Sequence, residues 1–273
     1  MPLHHVGVIL THVDQLGQLD DCLTRARLNT LKVVTAWGVA GGWTTASREW
    51  AARVPTLIVR TVAGDPSYAR SPGPSPFPMP EAKLIAAEIA PWYAVRPNIW
   101  VELGNEPDVD SPDDDFIWRY RFYLGQTVST LHTIFPQAKL IAPGLMGGPR
   151  ADRFAEVAGD VFGMCDAMAV HAYEYYSFTA RNVARTKALE NNLARTRRYS
   201  QGKPLWLTEV GINDTKVTTP KDKGQRYLRL METCKADVIG ATYYHLTTKP
   251  IDQDQAAYAS TAELERELGK RKW

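Results

Sequence analysis

Hydrophobic positions along this chain follow two alternating rhythms. Short, near-continuous apolar runs occur at His5–Leu10, Leu31–Trp37, Thr56–Val62, Ile99–Leu103, Lys139–Ala142, Ala167–His171, Leu205–Thr208 and Val238–Tyr243. They read as strands of a parallel sheet buried on both faces, which needs no polar alternation. Between them, apolar residues recur at helical spacing over Leu16–Leu28, Thr45–Val54, Glu81–Tyr93, Pro112–Ile134, Ala151–Val161, Ala180–Tyr199, Lys221–Lys235 and Ala256–Leu268. The fourth of these is expected to start with Ser111 as N-cap, Pro112 at the first helical position and acids in the first turn. Eight strands, each followed by a helix, predict a (β/α)8 TIM barrel, an α/β fold, with residues 1–273 as a single domain. A doubly wound open sheet would use the same alternation but does not require eight units.

In such a barrel the loops after the C-terminal ends of the strands form the active face. The loop Gly64–Pro80, with six prolines and no hydrophobic period, follows the third strand and is placed over the mouth. The fourth strand ends in Glu102-Leu103-Gly104-Asn105-Glu106-Pro107 and the seventh in Leu207-Thr208-Glu209-Val210-Gly211. Barrel closure brings Glu106 and Glu209 to opposite sides of one mouth. Glycoside hydrolysis needs such a pair: one carboxylic acid protonates the leaving oxygen and one carboxylate supports the oxocarbenium-like centre. If the two lie about 5–5.5 Å apart, the second attacks directly and configuration is retained. Arg60, near the end of the third strand, supplies a positive charge that favours the ionised form of Glu209. Glu102 shares strand parity with Glu106 but lies deeper, and is read as a structural acid paired with an arginine.

At these residues the chain resembles glycoside hydrolase clan A, retaining barrels with catalytic glutamates on the fourth and seventh strands. Asn105-Glu106-Pro107 is similar to the clan's Asn-Glu-Pro, and Thr208-Glu209-Val210-Gly211 to its nucleophile strand. The resemblance implies Glu106 as acid/base, Asn105 as the ligand of the sugar 2-hydroxyl and Glu209 as nucleophile. His171-Ala172-Tyr173 resembles the His-x-Tyr of family 5-like members. That implies a Tyr173 hydroxyl bonded to the nucleophile and a His171 lining the cleft beside the acid/base. The chain departs from the pattern in two places. Its second strand ends in Trp37, where clan members often carry an arginine, and its eighth ends in Tyr243-Tyr244-His245, where many carry a sugar-stacking tryptophan. The family within the clan therefore stays open.

Sugars present C–H faces, so rings at the mouth are the expected subsite walls. Trp37, Trp43, Tyr68, Tyr175, Tyr176 and Tyr244 fall in or beside the C-terminal loops, with His245 next to them. Trp100, Trp118 and Trp206 fall within elements and are expected to pack between strands and helices. His4, His5 and His12 lie near the first strand without a carboxylate in metal-ligand spacing.

Composition narrows the partners. Net charge is +2, with basic and acidic residues mixed, so neither nucleic acid nor an anionic membrane is the expected partner. The stretch Arg181–Arg198 fits the solvated face of an outer helix. Three cysteines, Cys22, Cys165 and Cys234, show no close pair and predict neither a disulfide framework nor a zinc site. The start of the chain lacks the pattern of a signal peptide, and no apolar run approaches the roughly 20 residues of a membrane span. The reading is a retaining hydrolase of a β-linked oligo- or polysaccharide, needing no metal or organic cofactor; the β linkage follows from the resemblance. Alternatives are an inactive carbohydrate-binding barrel and a cell-wall-lytic glycosidase. The sugar, the mode of attack and the oligomeric state are not legible.

Overall fold

The structure is a computed structural model that describes residues 5–10, 28–35, 43–61, 82–108, 113–145, 148–175, 183–213, 234 and 237–243. Its strands are β1 (His5–Leu10), β2 (Thr30–Val34), β3 (Thr56–Arg60), β4 (Trp100–Glu102), β5 (Lys139–Ala142), β6 (Ala167–Tyr175), β7 (Leu205–Asn213) and β8 (Gly240–Tyr243). All pair in parallel in sequence order, and β8 returns to β1, so the barrel is closed. The described helices are α1 (Thr45–Ala51), α2 (Ala82–Val95), α3 (Asp114–Ile134), α4 (Gly148–Phe162) and α5 (Val183–Tyr199). The helices expected at 16–28, 221–235 and 256–268 fall outside the described residues, apart from Leu28 and Cys234.

Strand alternation splits the core in two. Leu31, Val33, Leu57, Val59, Val101, Leu140, Met168, Val170, Leu205 and Leu207 point outward and merge with Ile85, Ile89, Phe116, Leu124, Phe154 and Phe162 of the helices. Ile58, Ile141, Ala167, Ala169 and Trp206 point inward as a separate apolar plug. At about 25 cal/mol per Å² of apolar surface removed from water, this two-sided burial is the main stabilising term.

The plug corrects the expectation for two tryptophans. Trp206 lies inside the barrel, stacked on His5 with centroids 5.1 Å apart and edge-on to Trp100 at 5.5 Å. Gly240 makes room for it, because a β-carbon there would stand 2.4 Å from the indole. Even-numbered positions of β7 face inward up to this level, so parity rather than side-chain size decides the matter. Trp118 packs in neither layer: it is 46% exposed on α3. His5 also bonds Thr56 Oγ1 through Nδ1 at 3.0 Å, which ties it to the plug, while His4 and His12 lie outside the described residues.

The cap of α3 also differs. Asp113 is the N-cap and accepts from the Phe116 N–H at 2.8 Å, with Asp114 and Asp115 in the first turn. A carboxylate satisfies the first free N–H better than a residue two positions earlier can reach; Ser111 and Pro112 lie outside the described residues. On α5, Arg195 and Arg198 pair with Asp152 and Arg197 with Asp237. Cys165 and Cys234 are buried, and burial pushes each thiol up to about 12. Among the described residues, no helix is long and apolar enough to cross a membrane.

Candidate active site

Above the apolar plug the barrel interior turns polar. Lys32, Arg60, Glu102, His171, Thr208 and Glu209 are all buried there. A single irregularity makes this possible. His171 pairs in register with Glu209 while Val170 pairs with Leu207, so Thr208 is an extra residue bulged out of β7. Two consecutive side chains of a regular strand point to opposite faces, but a bulge lets both face the same way. Thr208 Oγ1 donates to Glu102 Oε1 at 2.8 Å, and Glu209 Oε1 accepts from Arg60 and Lys32. Leu207 and Val210 on either side remain in the outer core.

Glu209 is gripped by two cations. Arg60 Nη1 lies 2.5 Å and Lys32 Nζ 3.3 Å from Oε1. Arg60 Nη1 also donates to Asn105 Oδ1 at 3.0 Å, which fixes the amide beside the fourth-strand glutamate. Lys32 reaches further, to the Thr208 carbonyl at 3.1 Å and Glu102 Oε2 at 2.5 Å. The contact with Glu102 is an ion pair without hydrogen-bond alignment. Burial by itself would raise the Glu102 carboxyl, but Lys32 and His171 outweigh it and hold it below the usual range. The arginine partner expected for Glu102 is thus a lysine: Arg60 pairs with it only along the backbone, while its guanidinium turns to Glu209.

Glu106 stands at the mouth with 18% of its side chain exposed. The chain leaves β4 through Gly104 at φ +83° and Glu106 at φ +36°. Left-handed backbone is strained for a residue with a β-carbon, more so before Pro107, and costs roughly 1–3 kcal/mol. The turn aims the carboxylate back over the barrel at His171, whose Nδ1 is 2.5 Å from Glu106 Oε1. The same nitrogen is 3.8 Å from Glu209 Oε2, and Nε2 is 3.4 Å from Glu102 Oε1. Burial alone would lower this imidazole, yet Glu209, Glu102 and Glu106 together push it up to about 10. Gly144, just past β5, lies flat against the ring, where a β-carbon would be 2.4 Å from it.

Glu106, His171 and Glu209 offer ligand atoms all within 4.8 Å of one another, a spacing that a metal ion also accepts. Of these three, Glu209 is already paired with Arg60 and Lys32, and His171 Nδ1 lies against Glu106 Oε1.

Of the residues singled out from the sequence, the fold brings Glu106, Glu209, Asn105, His171 and Arg60 together. Trp37, Tyr244 and His245 lie outside the described residues, as do Tyr68, Tyr176 and the side chains of Tyr173 and Tyr175. Trp43 is not a free-standing wall: it donates to the Val34 carbonyl at 3.2 Å and packs edge-on to Trp92. Lys32 and Thr208 are the members that sequence reasoning passed over. The signal for Lys32 was a lone charge inside the apolar run Thr30–Val34, which must find a partner within the barrel.

No family model and no curated protein matches the sequence. Solved structures do. A β-glucuronidase from an uncultured Clostridium sp. superposes with a TM-score of 0.64 at 14% identity, over 90% of this chain and 44% of that one. A GH39 enzyme from Xanthomonas axonopodis pv. citri gives 0.62 at 14% identity, over 89% and 58%. A Thermomonospora fusca β-mannanase in complex with mannohexaose gives 0.58 at 14%, over 93% and 81%. The chain thus spans about half the length of the first two. The likeness is one of fold: this is the TIM barrel on which those glycosidases are built.

Proposed function

We propose that the chain is a retaining β-glycoside hydrolase of the clan A type, with Glu209 as nucleophile and Glu106 as acid/base. The observation that carries this reading is the approach of two carboxylates from β4 and β7, with oxygens within 4.8 Å of each other. Inverting enzymes hold their carboxyl groups about 6.5–9.5 Å apart to admit a water, whereas retaining enzymes hold them near 5–5.5 Å. The assignment of roles follows the surroundings. Glu209, 4% exposed and gripped by Arg60 and Lys32, is held as an anion aimed by its neighbours. Glu106 is more exposed and bonded to a proton-bearing ring, as a group that gives and takes protons must be.

In the first step Glu209 attacks the anomeric carbon while the leaving oxygen takes a proton from the Glu106 side. In the second, water enters on the same face, gives its proton back and releases the glycosyl ester. Asn105, whose Oδ1 accepts from Arg60, is assigned the hydroxyl next to the reacting carbon. A β-mannanase with the same fold holds mannohexaose, which supports a β-linked oligo- or polysaccharide as the substrate class.

The test is reducing-end release from β-glucans, mannans, xylans, galactans and peptidoglycan, comparing wild type with Glu209→Gln. Release by the wild type that the variant loses supports the assignment and names the glycan. Equal release by both would remove Glu209 as nucleophile. Binding without release by either would make the barrel a carbohydrate-binding protein.

A further inference from the structure

We propose that the proton delivered to the leaving oxygen is held jointly by Glu106 Oε1 and His171 Nδ1, and that Glu102 is the positioning residue that keeps it there. The inference rests on the glycosidase reading and deepens it. Two contacts set the state of the ring. Nε2 faces Glu102 Oε1 at 3.4 Å, and Glu102 is fully buried, with Lys32 at one oxygen and the Thr208 hydroxyl donating to the other. A carboxylate held by those partners is ionised and only accepts, so Nε2 carries a hydrogen. The second nitrogen then meets Glu106 Oε1 at 2.5 Å, a separation that accommodates one proton between two acceptors. Protonated Glu106 on neutral imidazole and ionised Glu106 on imidazolium are two placements of that one proton.

Charge balance singles out the occupancy. Among the described residues, Glu102 and Glu106 from the β4 segment and Glu209 from β7 face the ring, with Lys32 of β2 and Arg60 of β3 behind those carboxylates; Gly144 beyond β5 brings no charge. With one proton in the pair, Lys32 and Arg60 cancel Glu102 and Glu209, and these described groups sum to zero. Glycosylation forms the bond from Glu209 to the anomeric carbon, breaks the glycosidic C–O bond and sends the shared proton to the departing oxygen. Glu209 becomes a neutral ester as the pair becomes an anion, so the sum stays zero. Water reverses both changes: its proton returns to the pair, its oxygen bonds the anomeric carbon, and Glu209 leaves as carboxylate. No net charge is created in a buried site, where doing so is costly.

The experiment compares kcat/KM of wild type, His171→Gln and Glu102→Gln on two aryl β-glycosides of the sugar that the wild type hydrolyses. One carries dinitrophenolate, which leaves without a proton, and the other phenolate, which needs one. Both variants are expected to lose roughly 100-fold on the phenyl glycoside, within the range of general acid catalysis, and only a few-fold on the dinitrophenyl glycoside. The basic limb of the pH profile is also expected to move. Equal losses on the two substrates would overturn the proposal, since mere distortion slows both. Nitrogen NMR of labelled histidine, with His171→Gln to assign the signal, tests the pair without turnover. Nε2 is expected to bear hydrogen from about pH 5 to 9, with Nδ1 shifting in Glu106→Gln. A bare Nε2 at neutral pH with turnover intact would overturn this inference alone. Failure of the wild type to release sugar from any of the glycans would instead remove the glycosidase reading, and the proton's use with it.

Discussion

Lys32 Nζ lies 2.5 Å from Glu102 Oε2, and neither side chain reaches solvent. Breaking such a pair from one side leaves a buried charge uncompensated, which costs about 3–5 kcal/mol. Lys32→Met is therefore expected to destabilise the barrel by that amount in urea unfolding. Adding Glu102→Gln removes the stranded charge, so the double variant is expected to be more stable than the additive sum of the two singles. Strict additivity would show that the two side chains do not interact.

Gly144 is expected to be intolerant of even one methyl group. A β-carbon there would meet His171 Cδ2 at 2.4 Å and Nε2 at 2.5 Å, and the ring cannot retreat without leaving Glu106 and Glu102. Gly144→Ala is expected to cost roughly 1–3 kcal/mol as overpacking. It is expected to lower kcat/KM by about 100-fold, as a misplacement near 1 Å does. Thermal unfolding and kinetics on the same sample check this, and unchanged activity would mean that the ring's position is not critical.

The pH dependence of stability has a definite sign. His171 binds its proton more tightly when folded, rising from an ordinary 6.5 to about 10. Between those values the native state keeps a proton that the unfolded chain has lost, so stability is full below about pH 6.5 and falls on the way to about 10. Glu102, held below its ordinary range, acts the other way: its contribution is present above the unfolded carboxylate value and is lost as the pH falls through the folded one. Chemical denaturation across the alkaline range is expected to show a decline in the wild type that His171→Gln lacks. Parallel curves would refute it.

Arg60 is expected to resist conservative replacement. Its Nη1 serves Asn105 Oδ1 and Glu209 Oε1 at once, from a planar fork that a lysine cannot reproduce. Arg60→Lys is expected to lower kcat/KM roughly 10- to 100-fold with little change in unfolding midpoint. Asn105→Ala in that background is expected to add less than it does in the wild type. A full additional loss would separate the two residues.

The sequence by itself determined the eight-fold alternation and the strand slots of Glu106 and Glu209. Strands buried on both faces are forced to be apolar throughout, and a barrel's chemistry has to lie at their C-terminal ends. Tertiary structure decided which charges meet. Lys32 announced that it needed a partner, but its partners come from β4 and β7, and only closure of the ring names them. The bulge at Thr208 exists only relative to the register of β6, and it sets both Thr208 and Glu209 inward. For the same reason Trp206 turned out to fill the barrel: its neighbours in sequence resemble those of an outer-layer residue, and strand parity alone sends it inside. Local patterning fixes what each segment becomes; the juxtaposition of side chains from strands far apart in the chain belongs to the closed barrel.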